Sequence, residues 1–274
     1  MEITEYHIYN RLAQSMRNPH NKEILAKIAD SEMRHYEFLQ QFTQENCKPN
    51  WLKVWKYAMI SKLFGITFAI KLMEGTEGSA TELYTQLSAS KAEIGTLIPE
   101  EITHERELIS MIDEERLKYI GAVVLGLNDA LVELTGTLAG LTLAFRLTNL
   151  IALAGIITGI AASLSMGTSQ YLSMKSGGGT LSPVKAALYT GGSYLLTVFL
   201  LISPYLLFAN YIIDFILTLS FAIVIIFFFT YYIAVAKDFP FRRRFAEMLV
   251  ISLGVALISF ILGDLVRIFF NISV

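Results

Sequence analysis

Twice in the chain a Glu stands three residues ahead of a His, in EMRH at 32–35 and in EITH at 101–104. Residues three apart on a helix project from nearly the same face, so Glu32 with His35, and Glu101 with His104, each offer a carboxylate and an imidazole to one point. The segments EITEYHIY (2–9) and EGSATELY (77–84) each set a Glu seven residues ahead of a Tyr, two helical turns apart on one face. Along the chain the order is therefore Glu, ExxH, Glu, ExxH. A bundle that joins a Glu from each of two helices to a Glu-x-x-His from each of the other two holds a pair of metal ions, the carboxylates bridging and the imidazoles capping. The expected ligands are Glu2, Glu32, His35, Glu77, Glu101 and His104. Glu5 and Glu74 are the alternatives to Glu2 and Glu77, and Tyr9 and Tyr84 are placed to hydrogen-bond the carboxylates. His7 and His20 lack such partners and read as surface residues.

A second constellation lies in GAVVLGLNDALVELTGTLAGLTLAF (121–145), an apolar stretch interrupted by Asn128, Asp129 and Glu133. Asp129 and Glu133 are four apart and share a helix face, and carboxylates at membrane depth line a pathway or bind an ion. The only basic residue near any of the other apolar stretches' interiors is Arg267, close to an end. SLSMGTSQYLSMKS (163–176) adds Met166 and Gln170 among small and polar residues. A thioether beside a carboxylate suits a borderline divalent ion such as Fe²⁺ better than Mg²⁺.

These residues need two kinds of element to hold them. The 274 residues are 54% hydrophobic, more than a soluble domain carries. All four His and both Trp fall before residue 119, where 14 basic groups face 18 acidic ones; after it, 8 basic face 6 acidic. The expected fold is all-α, with a wet acidic helical bundle over 1–118 and a membrane domain over 119–274. Bundle helices are expected near 2–16, 21–45, 72–89 and 91–118, with Ile24, Ile28, Leu39 and Phe42 at helical spacing on the inner face, and the last helix running straight into the first span. WLKVWKYAMISKLFGITFAIKLM (51–73) carries four Lys, costly at a bilayer centre, so it is expected as an amphipathic helix on the inner membrane surface or packed in the bundle.

Apolar runs long enough to cross about 30 Å of hydrocarbon recur near 119–145, 149–173, 184–208, 211–236 and 246–270. Arg106, Arg116 and Lys118 precede the first, Lys175 and Lys185 flank the second connector, and KDFPFRRR (237–244) forms the fourth, whereas the first and third connectors hold only Arg146 and nothing. Basic residues favour the cytoplasmic side, which places the N-terminal domain in the cytosol and the C-terminus outside a cell (inner) membrane. The lone Cys47 excludes a disulfide framework. No apolar core of a cleavable signal precedes the bundle, and GTLAG (136–140) and GIITG (155–159) are small-residue patterns that allow close helix packing.

VVLGLNDALVELTGTLAGLTLA with SLSMGTSQYLS resembles the vacuolar iron transporter family across all five runs, and the Glu/ExxH order resembles ferritin-like proteins of the rubrerythrin branch. The whole chain is thus similar to prokaryotic members of that family with a fused ferritin-like domain. The resemblance implies export of Fe²⁺, and of Mn²⁺, from the cytosol in exchange for protons by a homodimer. It assigns the transport carboxylate to Asp129 and the transport methionine to Met166, with Glu133, Asn128 and Gln170 along the path. Fe²⁺ is expected in the bundle, with Mn²⁺ or Zn²⁺ as other occupants; no nucleic acid is expected. The sequence departs from the family at Gln170, where many relatives carry an acid. The connector KSGGGTLSP (175–183) also lacks the Glu/Met-rich insert of eukaryotic members. The rival expectation is a membrane-anchored di-iron oxidase or peroxidase.

Overall fold

The computed structural model describes residues 1–76, 114–178 and 181–270. Every regular element among them is an α-helix, and the chain divides into two compact units, Met1–Glu115 and Arg116–Val274.

In the first unit α1 (Glu2–Ser15) and α2 (Pro19–Thr43) form a hairpin. Asn18 starts α2 by accepting the His20 amide at 3.0 Å while Pro19 fits the first turn, where its missing N–H costs nothing. The facing stripes are apolar: Ile8, Tyr9 and Leu12 of α1 bury against Leu25 and Ile28 of α2. Ile24 and Ile28 are buried and Leu39 is half-buried. The third helix α3 (Trp51–Phe64) starts on Asn50, whose side chain caps Lys53 N and whose amide is held by Thr4 Oγ1 at 3.0 Å. Val54 and Tyr57 join the core, as do Ile66, Ile70 and Met73 farther along the chain.

The 51–73 stretch is two helices. Gly65 adopts φ +100°, a backbone that favours glycine, and α4 (Ile66–Thr76) begins after it. The Glu114 carboxylate lies where a side chain on Gly65 would stand and accepts the Thr67 amide at 3.0 Å. A carboxylate supplied from a distant part of the chain thus caps α4 against its positive end. No periodicity in 51–73 could have announced that break.

Among its described residues the second unit holds five helices long and apolar enough to cross a membrane: α6 (Ile120–Phe145), α7 (Thr148–Ser176), α8 (Pro183–Leu207), α9 (Tyr211–Lys237) and α10 (Phe241–Phe269). The single turn α5 (Glu115–Lys118) precedes them. A turn at Tyr119 separates α5 from α6, so no continuous helix runs into the first span. Tyr119 is pinned by stacking on Tyr189 and by the Ser182 amide, which its hydroxyl accepts at 2.9 Å.

Helix α6 is the centre of the unit, in contact with each of the other four spans. It can be approached closely because it carries glycine where neighbours cross. At Gly126 a methyl would meet the Thr190 carbonyl of α8, and at Gly263 of α10 it would meet the Gly140 carbonyl of α6. Hydroxyls from the neighbours bond α6 carbonyls: Thr190 to Ala122 at 3.0 Å, Ser193 to Val123 at 3.2 Å and Ser252 to Leu131 at 3.0 Å. Such contacts hold helices together in lipid, where apolar burial gives no net drive. GTLAG faces α10, and GIITG faces Leu138, Val198 and Ile202 of α6 and α8, so both patterns serve packing within the chain.

Candidate functional site

Two sets of polar residues stand out, one in each unit. In the first unit the hairpin register brings them together. Glu2 lies thirteen residues before the end of α1 and Glu32 thirteen residues after the start of α2, both about 20 Å from the turn at 1.5 Å per residue. Glu2, Glu32 and His35 accordingly offer ligand atoms all within 4.8 Å of one another. His35 Nδ1 is 3.6 Å from Glu32 Oε2 and 3.9 Å from Glu2 Oε2. These separations exceed a hydrogen bond but match donors that share one ion at about 2 Å each. Both carboxylates are buried, Glu2 at 6% and Glu32 at 4% exposure, with Glu5 at 9% one turn along and Tyr9 at 0%.

Two buried carboxylates around one imidazole form a donor set that fits a divalent cation, because ionised carboxylates out of water need compensating charge. Glu77, Tyr84, Glu101 and His104 lie outside the described residues, as does the side chain of Glu74. His7 packs half-buried against Tyr6 and Trp51, and His20 is exposed.

In the second unit Asn128, Asp129 and Glu133 stand in the middle third of α6, Asp129 about 14 Å from its start. Asn128 and Asp129 are half-buried and Glu133 faces outward. The fully buried Tyr194 of α8 donates its hydroxyl to Glu133 Oε2 at 2.8 Å. Neither carboxylate has an ion pair among the described residues, and Arg146, just after the end of α6, faces Asp264 at 4.0 Å.

Helix α7 follows α6 through Arg146 and Leu147 and so runs back across. Met166 is ten residues before the end of α7 and Asp129 nine after the start of α6, which puts them at nearly one depth. Met166 packs partly buried on the transmembrane core, and Gln170 is half-buried one turn on. The adjacent crossing fixes this part of α7: Ser163 Oγ donates to the Gly191 carbonyl at 2.9 Å, and Gly167 faces the Ala187 carbonyl and Gly191 of α8.

Two residues that sequence reasoning missed complete the polar interior. Tyr194 is one; no spacing links it to a carboxylate 61 positions away. Asp214 is the other, fully buried in the first turn of α9, accepting from Thr148 Oγ1 at 2.9 Å while its Oδ1 has no hydrogen-bond partner. A carboxylate inside YIIDFILTLSF was the available signal, masked by its resemblance to an ordinary acidic first turn.

Compared with known proteins, the chain matches the model of the VIT family over residues 120–181, which takes in Asn128, Asp129, Glu133, Met166 and Gln170. No curated protein and no solved structure matches it. The match and the five apolar helices together support a membrane metal transporter.

Proposed function

We propose that the chain exports Fe²⁺, and Mn²⁺ by the same path, from the cytosol in exchange for protons. The observation that carries this reading is the placement of Asp129 and Glu133 at mid-depth in an apolar helix without a basic partner among the described residues, level with the thioether of Met166. A bare anchor has no use for two uncompensated carboxylates in hydrocarbon. Asp129 and Met166 bind the cargo ion as a mixed hard and soft pair. Glu133 lines the same path, its carboxylate oriented by Tyr194. Protons arriving from outside compete for these oxygens and release the ion, since a carboxylate ligates metal only when deprotonated.

On the cytosolic side, Glu2, Glu32 and His35, with Glu77, Glu101 and His104, would hold a pair of metal ions. Such a pair supplies a cytosolic binding point for divalent metal and, with iron, redox chemistry. The chain's own contribution is a buried, pre-formed donor set built on two rigid helices. In this reading the first unit faces the cytosol in a cell membrane and the active form is a homodimer.

The test is ion flux into proteoliposomes under a pH gradient, with Fe²⁺ and with Mn²⁺, alongside oxygen and peroxide consumption by the same full-length protein. Asp129→Ala is expected to reduce flux to that of protein-free liposomes. Normal flux in that variant, or peroxide turnover without flux in the wild type, would sink the transport reading in favour of an anchored oxidase.

A further inference from the structure

The outward face of α3 is apolar and exposed. The helix buries Val54, Tyr57 and Ser61 in the first unit. On the opposite side Leu52, Trp55, Met59 and Leu63, spaced three or four apart, form one stripe, each more than half exposed, with Leu52 at 85%. At 100° per residue Lys53 flanks this stripe on one side and Lys62 on the other, with Lys56 beside it, and all three lysines are exposed. No acidic residue occurs between Glu45 and Glu74. The two tryptophans are held in place by α1: Arg11 stacks on Trp55 with its guanidinium carbon 3.9 Å from the ring centre, and His7 packs on Trp51.

We propose that this face is a docking surface for an anionic lipid bilayer, with α3 lying in the headgroup region. An exposed apolar stripe of this size on a soluble unit marks an interaction site. The chemistry selects lipid over protein: long apolar side chains reach the acyl boundary, indole rings favour the interface, and lysines on both flanks extend to phosphates. Covalent connection favours it as well. The same chain continues from Arg116 into a unit whose described helices include five long and apolar enough to cross a membrane.

The sequence supplies its own probe, because the chain's two tryptophans, Trp51 and Trp55, both sit on α3. The full-length protein is reconstituted, free of metal, into nanodiscs of phosphatidylcholine with phosphatidylglycerol, with or without bromine on the acyl chains, and tryptophan emission is recorded. Emission is expected to fall by roughly half or more in the brominated discs and to resist aqueous acrylamide. Pure phosphatidylcholine should weaken the bromine effect. Leu52→Glu with Met59→Glu, both on the exposed face, should restore emission and admit acrylamide while leaving the circular dichroism and elution volume unchanged. Emission insensitive to bromine but open to acrylamide would overturn the proposal. So would emission shielded from both quenchers, which would show that protein, either a second copy or another part of the chain, covers the stripe.

Discussion

At Glu133 a carboxylate lies on an outward face of a membrane helix, held by one phenol. Removing that phenol tests whether orientation matters: Tyr194→Phe keeps the packing of the ring and deletes a single hydrogen bond. It is expected to slow metal flux several-fold and to displace the pH at which flux is half-maximal, with little change in thermal stability. In the first unit, Glu32→Ala or His35→Ala should abolish metal retained by the purified protein, measured by elemental analysis, while flux at saturating metal continues. Some of this was readable in advance. The ExxH spacing places Glu32 beside His35 by helix geometry alone, and the hairpin brings Glu2 to them. Tyr194 and Thr148 were not readable, because their partners Glu133 and Asp214 come from other helices, and register between helices is set by packing that no local pattern records.

Among the elements, the five apolar runs were legible from length and composition, with boundaries differing by a few residues from the helices found. The largest difference is at α10, which begins at Phe241 and carries Arg242, Arg243 and Arg244 as a solvated helical turn ahead of its apolar part. Hydropathy marks where lipid begins, whereas the backbone stays helical for as long as its hydrogen bonds close. The break at Gly65 and the turn at Tyr119 escaped notice for a related reason, since each is fixed by a partner remote in sequence, Glu114 and Ser182. Helix contacts lead to a paired prediction. Gly126→Ala, whose methyl meets the Thr190 carbonyl, should destabilise the protein by about 1–3 kcal/mol. Gly254→Ala, with nothing within 4 Å, should be neutral or stabilising by up to about 1 kcal/mol. Thermal unfolding in detergent distinguishes the two.

For the whole molecule, the orientation expected from charge asymmetry is directly measurable, because Cys47 is the sole cysteine and is exposed. A membrane-impermeant maleimide should label it in inside-out vesicles and leave it unmodified in intact cells. In a Cys47→Ser background, Asn210→Cys, in the connector between α8 and α9, should show the reverse. The chain divides between Glu115 and Arg116, three residues ahead of the boundary expected from the distribution of charge and histidine.

Helix α6, which touches every other span, is poorly suited to movement. Sliding or tilting it would strip hydroxyls from three of its carbonyls and disturb four interfaces at once. Asp129 and Glu133 therefore ride on a block of three helices, α6, α8 and α10, tied by hydroxyl-to-carbonyl bonds, and in the proposed transport reading a change of access would leave those bonds in place.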